Sequence, residues 1–164
     1  MSGFEDLLRA NEAFADAFTL QGLEGAAAAG VAIVTCMDSR IDPLAIVGLQ
    51  VGDAKIVRNP GGRVTDAALE ALVLAVQLLK VDRVMVVPHT RCAVASATES
   101  ELRSRVSASA GTDAAWQRFH VVDDQLRTLA DDVARVHSHP LIPDRVQVGG
   151  FVYDVDTGLL HQHV

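Results

Sequence analysis

The chain reads as an α/β domain with a central, mainly parallel β-sheet flanked by helices and an antiparallel hairpin at its C-terminal edge. Three observations predict this class. Short β-branched runs alternate with amphipathic stretches along the chain. The run Val31–Ala32–Ile33–Val34–Thr35 is apolar without a break, as a strand covered on both faces must be. Asp156–Thr157–Gly158 is a turn signal between the last two extended runs.

The elements follow in order. Phe4, Leu7, Leu8, Phe14 and Phe18 fall at helical spacing with acids between them, so a helix runs from Phe4 to Leu20. Its apolar stripe within segment 3–20 is expected to pack either on a partner subunit or on its own domain. Gly22 to Gly30 is a connector or a further short helix, and Val31–Thr35 is the first strand. Pro43 admits a short helical turn, and Asp53 to Val57 is the second strand. Arg58–Asn59–Pro60–Gly61–Gly62–Arg63 is a Gly-rich loop, behind which Thr65 or Asp66 caps a helix to about Lys80. Arg83–Val87 is the third strand. A helix is expected from Cys92 to about Ser109, with a break near Gly111–Asp113, and another over Val122–His137. Val146–Tyr153 and Leu159–Gln162 form the closing hairpin. No internal repeat interrupts this pattern, and residues 1–164 are expected to form one unit.

Composition narrows the partners. Hydrophobic residues make up 49% but aromatics only 4%, so the core is built from Ala, Val, Leu and Ile. A formal charge of −7, from 14 basic and 21 acidic side chains, repels nucleic acid and anionic lipid, and no basic cluster offsets it. Neither nucleic acid nor a membrane is expected as partner, and no apolar run reaches the length of a span. Glu5, Asp6 and Glu12 stand where a secretory signal would carry basic residues, so a cytoplasmic location is expected. In a reducing compartment the two cysteines are core residues, redox groups or metal ligands rather than a structural disulfide.

Both cysteines sit just past strand ends, where open α/β sheets bind ligands. Cys36 follows the first strand; His89 and Cys92 follow the third. Two thiolates and an imidazole are the donors zinc prefers, with one position left open for water or substrate. H-x-x-C alone has a plainer reading, one buried Cys and one half-buried His. Asp38 and Arg40 lie just beyond Cys36. If the guanidinium fork holds the carboxylate, Asp38 stays ionised, and it can either accept a hydrogen bond from a zinc-bound water or compete as a fourth ligand. As a bare loop pair the two would be a solvated turn. Gly61 and Gly62 allow close backbone approach to the site, a weaker candidate for a substrate pocket than for a simple helix-entry turn. His120, the pair His137 and His139, and the pair His161 and His163 carry no comparable pattern.

Taken together, Cys36–Met37–Asp38–Ser39–Arg40, Arg58–Asn59–Pro60–Gly61–Gly62 and His89–Thr90–Arg91–Cys92 resemble the β-class carbonic anhydrases; Gly150–Gly158 resembles that family's closing hairpin more weakly. The resemblance implies a zinc enzyme interconverting carbon dioxide and bicarbonate. Cys36, His89 and Cys92 match the zinc ligands and Asp38 with Arg40 the catalytic dyad, Asp38 either orienting a zinc-bound hydroxide or ligating zinc in a closed state. It also implies a homodimer or homotetramer, with the N-terminal helix reaching across to the partner. Pro88 and Ala93 stand where the family usually has Gly, and Arg91 is bulky, so the pocket is where this chain departs from the pattern. The alternatives are a hydrolase of carbonyl sulfide or carbon disulfide on the same zinc, and a non-catalytic zinc-binding relative.

Overall fold

A computed structural model describes residues 3–164 of the chain. Met1 and Ser2, the first residues of the expected 1–164 unit, lie outside the described residues. Helix α1 spans Glu5–Asp16, β1 Val31–Cys36, β2 Ala54–Asn59, α2 Asp66–Leu78, β3 Arg83–Val87, α3 Glu99–Ala110, α4 Gln125–His137, β4 Gln147–Tyr153 and β5 Leu160–Gln162. The strands lie in the order β2-β1-β3-β4-β5. β1 pairs in parallel with β2 and β3, β3 with β4, and only β5 runs antiparallel. The expected sheet and hairpin are both present.

β1 lies between two parallel neighbours and is buried at every position, which is why its sequence carries no polar alternation. Ala32 and Val34 point to one face, where they meet Val84, Val86 and the buried stripes of α2 and α4. Val31 and Ile33 point to the other, covered by the segment around Ile41–Leu49. β1 leads to β2 on one side, and the chain then returns to place β3 on the other. The crevice between the carboxyl ends of β1 and β3 is therefore the sheet's topological switch point.

Several boundaries differ from expectation for identifiable reasons. The helix expected from Cys92 begins only at Glu99, after a single 3₁₀ turn at Ala93–Ala95. Thr98 is its cap: its hydroxyl accepts from the Glu101 N–H (3.2 Å) while Glu101 accepts from the Thr98 N–H (2.7 Å). The helix expected from Val122 starts at Gln125, because the Asp124 carboxylate accepts from the Arg127 N–H (3.0 Å). α1 stops at Asp16, short of Leu20; none of its residues is buried, so no packing extends it. Leu7, Leu8 and Phe14 are all well exposed on it, as is Phe4 at its N-cap. No helix among the described residues is long and apolar enough to cross a membrane.

Candidate metal centre

The switch-point crevice holds the three candidate donors. Cys36 ends β1, while His89 and Cys92 follow β3, the strand beside it. All three are buried, and their donor atoms lie within 4.8 Å of one another; no other such group occurs among the described residues. The two sulfurs stand 4.0 Å apart, against about 3.8 Å for two thiolates on one tetrahedral ion at about 2.3 Å.

The imidazole supplies the strongest sign of a missing partner. His89 is fully buried. Its Nδ1 lies 2.8 Å from the Thr90 carbonyl, an acceptor only, so Nδ1 carries the proton and donates. That leaves the Nε2 lone pair facing the sulfurs, and Nε2 is the one buried side-chain nitrogen or oxygen among the described residues without a hydrogen-bond partner. A buried acceptor left unpaired costs about 1–3 kcal/mol; a cation removes that cost. Zinc, the softer divalent ion, suits two thiolates and an imidazole.

The sulfurs are electrostatically prepared. The hydrogen bond from Cys92 is the main influence lowering the Cys36 thiol, against its burial, with the Gly61 N–H lowering it further. The Cys92 thiol moves up, since it carries the proton the pair shares and is itself buried. The Gly61 N–H points at Cys36 Sγ from 3.4 Å. It can do so because Gly62, at φ +65°, lies against the backbone of β1 and β3, where a Cβ would sit 3.0 Å from Cys36 N and 3.1 Å from Val87 O. The close approach expected of Gly61–Gly62 is thus made to the strands that carry the donors.

Asp38 and Arg40 form the fork that their spacing allowed. Arg40 Nε donates to Asp38 Oδ1 (2.9 Å) and Nη2 to Oδ2 (2.8 Å), while the Arg40 N–H also reaches Oδ1 (3.0 Å). The guanidinium and this N–H hold the Asp38 carboxyl well below the usual carboxylate range. Oδ2 comes to 3.8 Å from His89 Nε2, beyond direct hydrogen bonding. The cleft above these groups has a volume of about 620 Å³, bordered by Met37, Arg40, Pro60 and Val94.

Two site features, at Arg58 and Thr90, were not singled out from sequence. Arg58 Nε donates to the Cys36 carbonyl (2.9 Å) and Nη2 to the Asp38 carbonyl (2.6 Å), fixing the chain that leaves β1. Thr90 is held from the C-terminal hairpin: its N–H donates to the Tyr153 carbonyl (2.9 Å) and its hydroxyl accepts from the Val155 N–H (3.1 Å). Arg91 takes a left-handed conformation (φ 55°) and pairs with Asp156 at 2.7 Å. Of the departures from the family pattern, Ala93 is exposed and has no positive φ, so its turn does not require glycine. Pro88 is buried, and its carbonyl accepts from the Tyr153 N–H (2.9 Å).

Comparison with known proteins agrees with this geometry. The pattern of the carbonic anhydrase family matches residues 31–160, the whole stretch from β1 into β5. The chain belongs to the β-carbonic anhydrase family. Among solved structures, a carbonic anhydrase from Streptococcus mutans superposes with a TM-score of 0.87 at 37% identity, covering 99% of this chain and 98% of that one. β-Carbonic anhydrase 1 of Mycobacterium tuberculosis is 28% identical over 80% of each chain. A carbon disulfide hydrolase of Acidithiobacillus thiooxidans is 29% identical over 78% of this chain and 74% of its own. Zinc is the cofactor of β-carbonic anhydrases, and Cys36, His89 and Cys92 are the group here that could hold it.

Proposed function

We propose that this chain catalyses the zinc-dependent, reversible hydration of carbon dioxide to bicarbonate, with Cys36, His89 and Cys92 as metal ligands and Asp38 and Arg40 as the catalytic dyad. The observation that carries the reading is the unpartnered Nε2 of His89 facing two buried sulfurs, beside a carboxylate that an arginine keeps ionised. Zinc bound there supplies Lewis acidity that brings the acidity of water near neutral pH. Asp38 Oδ2 accepts the hydrogen bond of the attacking water and so aims its lone pair into the cleft. Arg40 keeps that carboxylate in one orientation and prevents it from taking the proton for itself. Arg58, through the Cys36 and Asp38 carbonyls, keeps ligand and dyad in fixed relation. Gly61 borders the cleft through which the substrate would approach, while Gly62 packs against the strands behind it. Free thiols at the site suit the reducing cytoplasm.

Hydrolysis of carbon disulfide is the second reading, since relatives of that name are about as similar in sequence as the mycobacterial carbonic anhydrase. The higher identity and near-complete coverage of the Streptococcus mutans structure favour carbon dioxide. Stopped-flow hydration and hydrogen sulfide release, measured on one zinc-loaded preparation, decide between them. The exposed apolar face of α1 further supports a homodimer or homotetramer in which α1 lies on a second copy. Asp38→Asn should retain zinc at wild-type stoichiometry and lose about 100-fold or more in turnover. Turnover within fivefold of wild type would remove Asp38 from the mechanism and favour a zinc site without catalysis.

A further inference from the structure

Asp132, on α4, lies outside the cleft and among the core side chains. With Thr35 and His89 it makes up the buried polar or charged residues among those described. Its carboxylate accepts from Arg63 Nε (2.6 Å), Arg63 Nη2 (3.2 Å) and the Val64 N–H (3.1 Å). These partners are the two residues directly after the Gly61–Gly62 turn. Asn59, two residues before it, closes the other end: its Oδ1 accepts from the Arg63 N–H (2.8 Å) and its Nδ2 donates to the Arg63 carbonyl (2.7 Å). The turn is thus clamped on both sides, with its Gly61 N–H directed at Cys36 Sγ. On the same helix, seven residues earlier and so on the same face, Gln125 Nε2 donates to the His89 carbonyl (3.0 Å). One helix therefore holds both the turn that faces Cys36, through Asp132, and the segment that carries His89, through Gln125.

We propose that Asp132 is a positioning residue for the metal centre, acting through Arg63 and the Gly61 N–H on the Cys36 sulfur, with Gln125 as its counterpart on the His89 segment. The proposal rests on the zinc reading above. A buried ion pair is a weak source of stability, because desolvating both charges offsets most of their attraction. Its value here is directional: three charge-assisted bonds from one fixed carboxylate hold a glycine turn that would otherwise have wide backbone freedom. The N–H that the turn presents stabilises the thiolate and fixes the lone pair it offers. Groups that orient metal ligands in this way typically change metal affinity by about 10- to 100-fold when removed.

The test measures the zinc dissociation constant of the full chain by competition with a chromophoric chelator, with far-UV circular dichroism confirming the fold. Asp132→Asn removes the charge at constant shape; Arg63→Lys keeps the charge but loses the fork, and carries the test if the first variant does not fold. Both should bind zinc about 10- to 100-fold more weakly than wild type, and their cobalt-substituted forms should show a shifted thiolate-to-cobalt charge-transfer band. Val133→Ala, a core change on the same helix, should stay within twofold of wild type. Wild-type affinity and an unshifted cobalt band in the folded variants, or an equal loss in Val133→Ala, would overturn the positioning role. A wild-type chain that does not bind zinc at all would instead remove the metal reading beneath it.

Discussion

Gly62 and Gly111 offer a controlled comparison, because both hold nearly the same left-handed conformation (φ +65° and +66°) and differ in what a methyl group would meet. At Gly111, the C-cap of α3, a new Cβ has nothing within 4 Å. Alanine there pays only the left-handed penalty, about 1–2 kcal/mol. At Gly62 the same Cβ would stand 3.0 Å from Cys36 N and 3.1 Å from both Thr35 C and Val87 O, all backbone atoms of paired strands. No side-chain rotation relieves that contact. Overpacking adds about 1–3 kcal/mol, for a total of about 2–5 kcal/mol. At about 2–4 °C per kcal/mol for a chain of this size, Gly111→Ala should lower Tm by about 2–8 °C and Gly62→Ala by about 4–20 °C. Calorimetry at equal protein concentration and zinc loading measures both, and Gly62→Ala must show the larger drop by at least about 2 °C. Metal analysis should add a fall in zinc content for Gly62→Ala alone, since relieving the contact displaces Cys36. Equal drops in Tm with full zinc in both would refute the argument that the turn is wedged between β1 and β3.

Arg40 keeps Asp38 ionised well below the usual carboxylate range, so protonation of Asp38 does not contribute to an activity change near neutrality. The hydration rate should rise with pH through a single inflection near about 7 and show no second inflection down to about pH 5; one between pH 5 and 6.5 would count against the Asp38–Arg40 pairing. Replacing Leu7 and Leu8 on α1 by Glu places charge on its exposed apolar face. Sedimentation velocity should then report a smaller particle than wild type, with circular dichroism and zinc content unchanged, and an unchanged mass would disprove the proposed seat of α1 on a second copy.

The strands were legible because burial on both faces demands continuous apolar runs, and β1 is the clearest case. The donors were legible because strand ends bring distant cysteines together whatever the loop lengths between them. What stayed hidden belongs to side chains that act through backbone. Arg58 stood in a quoted motif, but nothing in its spacing shows that it reaches the Cys36 and Asp38 carbonyls. Asp132 left a readable trace: it interrupts the apolar stripe Leu129, Val133, Val136 of α4 at a core-facing position, and an acid there calls for a cationic partner. The late start of α3 was also readable, since T-x-x-E at Thr98–Glu101 is a capping-box signature. The segment after Cys92, expected as the start of that helix, makes only one 3₁₀ turn at Ala93–Ala95.

Neighbouring strands in any sheet keep a separation of about 4.8 Å, enforced by backbone hydrogen bonds. Here Cys36 ends one strand and His89 extends the next, so the gap across which an ion must fit is measured by the sheet itself, a ruler that side-chain substitutions around the mouth cannot stretch. Evolution can therefore recut the rim for a different guest molecule while the grip on the ion stays as it was.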